Sequence, residues 1–91
     1  MSASTARDKL VALLEEYANG RDTQEFCSAY EHAFNFEIDQ GALPDSELRI
    51  FQTVFDEVVL YSPFEDDRAK YPGYRDEQAI RNVVAHALPL V

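Results

Sequence analysis

The chain has 91 residues, 46% of them hydrophobic, and a formal net charge of −9 at pH 7; this supports a single domain over residues 1–91 with one core and little room for a deep, enclosed active site. Its 17 acids against 8 bases disfavour nucleic acid and anionic membranes as direct partners, because both are held through Lys and Arg. No apolar run approaches the ~20 residues of a membrane span, the opening MSASTARDK lacks an apolar signal core, and Cys27 has no second cysteine to pair with, so a cytoplasmic protein, monomeric when free, is expected.

Leu10, Leu13, Leu14 and Tyr17 recur at helical spacing, which predicts a first helix over 5–19, capped by Ser4 or Thr5 and stopped at Asn19-Gly20. Asp22-Thr23-Gln24-Glu25 reads as a capping box opening a second helix over 23–39, with Phe26, Ala29, Tyr30 and Ala33 as its core stripe, widened by Cys27, Phe34 and Ile38. Cys27 on that stripe is a packing residue, since no base flanks it. Pro44-Asp45-Ser46-Glu47 starts a third helix over 45–60, with Leu48, Phe51, Phe55 and Val58 facing inward and Pro63 as the stop. Ile80, Val83, Val84 and Ala87 mark a last helix over 76–88, with Asp76 and Glu77 in its first turn and Pro89 beyond its end. The fold class is therefore all-α: an antiparallel four-helix bundle with a long structured loop between the third and fourth helices.

Familiar catalytic and metal-binding patterns are missing. The residues three before His32 and His86 are Ala29 and Val83, so the Glu-x-x-His pairs of metal-binding bundles fail. There is no Cys-x-x-Cys, no His-Glu-x-x-His and no Gly-rich phosphate loop. No catalytic residue, metal site or cofactor is assigned, and the chain is not read as an enzyme. His32 reads as a solvated surface residue and His86 as a partly buried structural one.

The charge is unevenly placed. Between Asp22 and Asp67 stand 12 acids and a single base, Arg49, so the middle of the chain presents a strongly negative surface. Asp56 and Glu57 fall in the last turns of the third helix, where carboxylates typically cost about 0.3–1 kcal/mol each. The segment 61–77 then adds Glu65, Asp66 and Asp67, and carries Tyr61, Phe64, Tyr71 and Tyr74. Phe64 and Tyr74 are expected to close the end of the core, and Tyr61 and Tyr71 to act as anchors at an interface. Arg68 is expected to clamp Asp67 or a helix-end carbonyl.

Tyr61-Ser62-Pro63-Phe64-x-x-Asp67-Arg68-x-x-Tyr71, followed by Asp76-Glu77 opening the last helix and preceded by Leu43-Pro44-x-x-Glu47-Leu48 with Phe51 and Phe55, resembles the self-protective immunity proteins of the colicin D type. The resemblance covers roughly 23–88. It implies a four-helix antiparallel bundle that binds, one to one, the C-terminal nuclease domain of a cognate tRNA-cleaving toxin, delivered as a bacteriocin or by contact. Such proteins cover the basic cleft with negative charge in place of the RNA backbone. Carried over, Glu57, Glu65 and Asp66 match acidic positions of the family's segment and Asp67 matches the Asp of its Asp-Arg pair. The toxin-binding set is then Asp56, Glu57, Tyr61, Glu65, Asp66, Asp67 and Tyr71, with Asp67 either facing the toxin or held internally by Arg68. Two other readings remain open from the residues alone: an acidic adaptor that docks a basic partner segment through exposed apolar residues such as Phe36 or Leu60, and a small hydrolase using the carboxylate cluster.

Overall fold

Two aromatic residues set the inner geometry before any helix is drawn: Tyr17 and Phe26 stack at 4.4 Å between centroids across the first turn of the chain. The computed structural model describes residues 2–91. Five α-helices follow in order among them: α1 (Ala3–Ala18), α2 (Thr23–His32), α3 (Asp45–Val58), α4 (Glu65–Lys70) and α5 (Glu77–Ala87). Helices α1, α2, α3 and α5 form the antiparallel bundle. Arg7 of α1 bridges Glu47 of α3, so these two helices begin at one end. Thr23 of α2 hydrogen-bonds Glu77 of α5, so the other two begin at the opposite end.

The core is drawn from the predicted stripes, with Leu13, Leu48, Phe55 and Val83 only partly buried against it. Leu10, Leu14, Tyr17, Phe26, Tyr30, Phe34, Phe51, Val54, Ile80 and Val84 are all buried. Rings continue in series from Phe26 to Tyr30 to Phe34, and Phe34 meets Phe55 of α3 at 4.7 Å. Burying such rings supplies about 1.5–3 kcal/mol each. The Tyr30 hydroxyl, deep in this layer, donates to the Phe51 carbonyl at 2.8 Å. Burial raises its pKa, so it stays a neutral donor.

The ends depart from the sequence reading in definable ways. α1 is capped by Ser2, whose hydroxyl accepts from the Thr5 amide at 3.2 Å, not by Ser4 or Thr5. Its stop is as read, with Gly20 at φ +111°, a conformation that glycine adopts without the Cβ clash. α2 ends at His32 and continues as a π-turn, Ala33–Glu37, closed by the Ile38 amide on the Ala33 carbonyl at 3.1 Å. A regular helix would put Phe34 and Phe36 roughly 200° apart, unable to share one core face. The widened turn buries Phe34 and Ile38 and leaves Phe36 77% exposed. The Gln40 side-chain amide then donates to the Phe34 carbonyl at 2.9 Å, near the helix end.

α3 stops at Val58, two residues before the expected end, because the chain turns to pair with the segment before α5. The Arg75 amide donates to the Leu60 carbonyl at 2.8 Å and the Ser62 amide to the Arg75 carbonyl at 3.0 Å. This single bridge between Tyr61 and Arg75 closes the long connection at its neck. The connection itself is not only loop: it contains α4. Its sequence explains it, since Glu65, Asp66 and Asp67 occupy the first turn and Arg68 and Lys70 the last, matching the macrodipole at both ends.

Candidate acidic face at the α4 end of the bundle

Helix polarity gathers acids at one end of the molecule. There the C-terminus of α3 meets the N-termini of α2 and α5, with α4 carried on the connection between α3 and α5. Asp22 and Asp76 cap their helices, accepting from the amides of Glu25 at 3.0 Å and Ala79 at 2.9 Å. Both sit where local physics favours a carboxylate.

A hydrogen-bonded chain fixes this end from inside. Thr23, 3% exposed, donates to Glu77 Oε1 at 2.8 Å. Its single proton being so used, its oxygen accepts from the Tyr17 hydroxyl at 3.0 Å. Arg81 donates to the same Glu77 oxygen at 3.0 Å and lies 5.1 Å from the centroid of the Tyr17 ring. Three helices thus close on one threonine. The Thr23 hydrogen bond and then Arg81 hold the Glu77 carboxyl below its ordinary pKa, while burial raises that of Tyr17.

The seven residues of the sequence-derived set fall into different surroundings. Glu57 is tucked in: its carboxylate takes Arg75 Nε at 2.6 Å, and it is only partly exposed. Arg75 also donates to the Gly73 carbonyl at 2.8 Å. The acid at the α3 terminus, expected in the toxin-binding set, is therefore paired with the chain's own guanidinium. Asp56 is exposed and accepts from the Gln52 amide one turn back at 2.9 Å. Tyr61, assigned as an interface anchor, is half-buried against the core, and burial raises its pKa. Glu65 and Asp66 are exposed, Asp67 is half-buried, and none of the three enters an ion pair among the described residues. Arg68 does not clamp Asp67; it donates to the Ser62 carbonyl at 2.6 Å, closing the turn into α4. Tyr71 is exposed and its ring lies 5.5 Å from that of Tyr74.

Phe64 and Tyr74 do not close the core end as expected; both are open to solvent. Leu60 is half-buried and offers no exposed apolar anchor, whereas Phe36 does. His86 is exposed rather than partly buried, and His32 is exposed with its ring 5.3 Å from Phe36. Cys27 is buried, and burial pushes its thiol up to about 12.

The structure also revises the argument from misplaced charge. Glu65, Asp66 and Asp67 sit in the first turn of a helix, where they are locally favourable. Of the two acids at the end of α3, Glu57 is repaired by Arg75 and Asp56 by an amide. Arg75 was not singled out from sequence. Its signal was available, as the base nearest before the last helix and opposite a helix end carrying two acids. Among the described residues no group of three or more His, Cys, Asp or Glu has the arrangement to hold a metal ion, and no helix is long and apolar enough to cross a membrane. No family model matches this chain, and none of the curated proteins or solved structures matches it either.

Proposed function

We propose that the chain is an immunity protein of the colicin D type, which inhibits a cognate tRNA-cleaving nuclease toxin by covering its basic RNA-binding cleft with the α4 end of the bundle. The observation that carries this reading is the set of carboxylates on α4. Glu65 and Asp66 stand exposed, without an ion pair among the described residues, on a short helix held at its neck by the Tyr61–Arg75 bridge and the Arg68 clamp. Asp56 is exposed near the end of α3, and Asp67, next along α4, is half-buried. A nuclease must hold phosphates in a basic cleft, and fixed carboxylates there occupy the same donors as substrate. Association is steered by opposite fields and falls as salt rises. No chemistry by the inhibitor is needed. The resemblance of 61–77 to the family's loop supplies the toxin class. Glu57 and Tyr61 act in this reading as supports, not contacts.

The test is capture of the partner by the tagged chain from its source cell at low salt. Recovery of a basic nuclease domain in equal amount is expected, and adding the chain to that nuclease stops tRNA cleavage. Glu65→Lys with Asp66→Lys is expected to abolish inhibition without unfolding the protein. Full inhibition by the double reversal refutes the acidic-face mechanism. A second reading, an acidic adaptor unrelated to toxins, is favoured by one observation: Phe36, 77% exposed on its π-turn, lies at the opposite end from α4. Under that reading Phe36→Ser removes partner capture and the α4 reversals do not.

A further inference from the structure

The α4 region presents rings as well as charge. Phe64, Tyr71 and Tyr74 are 64%, 57% and 41% exposed. Single exposed apolar residues need no explanation; three rings within one stretch of 11 residues, two of them in contact, do. Phe64 and Tyr71 are the residues flanking α4 at its two ends. At a rise of about 1.5 Å per residue they stand roughly 10 Å apart along the axis, with Glu65 and Asp66 between them.

The chain's own cations leave these rings unused. The one cation over a ring among the described residues is Arg81 on Tyr17. Arg68 is committed to the Ser62 carbonyl and Arg75 to Glu57 and Gly73. Purely apolar partners are disfavoured by the adjacent carboxylates, which such a surface would desolvate without pairing. A planar guanidinium meets both features: its edge bonds a carboxylate in two places and its face stacks on a ring. An ammonium meets a carboxylate only as a point charge with a tightly held water shell, and meets a ring without the planar stacking of a guanidinium.

We propose that the α4 face recognises an arginine-rich protein surface in preference to a lysine-rich one, Phe64 and the Tyr71–Tyr74 pair receiving guanidinium planes whose edges Glu65 and Asp66 bind. This rests on the reading of the α4 face as the binding face and names the chemistry it selects. Most of the discrimination comes from the rings; the acids set the sign of the partner and add a smaller preference through bidentate pairing.

The experiment titrates the full chain with deca-arginine and with deca-lysine peptides by calorimetry at about 20 mM salt, where exposed charges still interact across the face. Deca-arginine is expected to bind about tenfold more tightly, from the cation–ring contacts and bidentate pairing together. In Phe64→Leu with Tyr71→Leu and Tyr74→Leu, which keeps apolar area but removes the π faces, that preference is expected to fall to about two- or threefold, the residue of bidentate pairing. Deca-lysine binding should be unchanged. The single Phe64→Leu variant, at an exposed capping position, gives the same reading in smaller degree should the triple variant lose its helical circular dichroism. An unaltered arginine preference in the ring variants overturns the proposal and leaves the acidic face standing. Failure of both peptides to bind, or binding indifferent to Glu65→Lys with Asp66→Lys, overturns the face itself and with it the proposal.

Discussion

The closed chain at Thr23 makes the sharpest prediction about this molecule. Thr23→Val replaces a hydroxyl by a methyl in nearly the same volume, so packing changes little and the hydrogen bonds are isolated. The Tyr17 hydroxyl then loses its acceptor on a residue that is 1% exposed. A buried hydroxyl left unsatisfied costs about 1–3 kcal/mol, and the added methyl returns a fraction of this, so a net loss of about 1.5 kcal/mol is expected at neutral pH. For a domain of this size each kcal/mol moves Tm by about 4–8 °C, which places the variant roughly 6–12 °C below the parent. Thr23→Ser, which keeps the hydroxyl, should lose far less.

The same variant carries a pH signature. Glu77 is held below its ordinary pKa, first by the Thr23 hydroxyl and then by Arg81. A carboxyl whose folded pKa is depressed contributes stability above its unfolded pKa of about 4.3, and that contribution disappears as pH falls through the folded value. The Tm gap between parent and Thr23→Val should therefore be widest near pH 7 and narrow below about pH 4, without vanishing, because the Tyr17 share does not titrate there. Thermal melts followed by circular dichroism at the two pH values measure both effects. A gap under about 3 °C at pH 7, equivalent to roughly half a kcal/mol, would show that the chain of bonds contributes nothing that water does not replace, and would refute the reasoning.

Other parts of the molecule yield shorter tests. Tyr30→Phe removes the hydroxyl that reaches the Phe51 carbonyl and should cost about 1 kcal/mol in denaturant unfolding with an unchanged slope. Arg75→Met frees the partly exposed Glu57; stability should fall by less than about 1 kcal/mol, while hydrogen exchange at the Ser62 and Arg75 amides accelerates as the neck loosens. Cys27, buried and with its thiol raised to about 12, should react with a disulfide reagent at pH 8 only as fast as the domain opens, and at full rate in denaturant.

Much of this fold was legible because helical periodicity and core packing express the same fact. The stripes through Leu10, Phe26, Phe51 and Ile80 had one arrangement that buried them all, and capping by Asp22 and Asp76 followed from short-range chemistry. What escaped had two physical sources. The π-turn was hidden because the stripe through Phe26, Tyr30 and Phe34 continues to Ile38 at the spacing of a regular helix, so nothing local marks where one wider turn begins. α4 was hidden because six residues are too few for a periodic signal. Its mark was electrostatic, acids first and bases last, and those same acids had been attributed to a partner. At the site, exposure of Glu65, Asp66 and Tyr71 agreed with the sequence, whereas Glu57 and Tyr61 were lost to contacts from Arg75 and the core that no local pattern announces.

That double duty changes which argument the acidic face can bear. Carboxylates that violated helix electrostatics would have pointed to an external cause by their cost alone. Glu65, Asp66 and Asp67 do not violate it, and Glu57 is compensated. The external cause must instead be sought in what remains after the internal accounts close. Arg7, Lys9, Arg21, Arg75 and Arg81 each reach a carboxylate of their own chain, and Arg68 is spent on a carbonyl. Lys70 is then the base left on α4; it stands one turn from Asp66 and enters no ion pair with Glu65 or Asp66 among the described residues. Helix stability needs one or two acids in a first turn, each worth about 0.3–1 kcal/mol, and gains nothing from aromatic rings beside them. The proposed partner, with its guanidinium groups, would account for both. Neutralising Glu65 and Asp66 as glutamines should therefore leave Tm within a few degrees of the parent, at the dipole's modest scale, while partner affinity falls by orders of magnitude; comparable small losses in both would mean that the acids serve α4 alone.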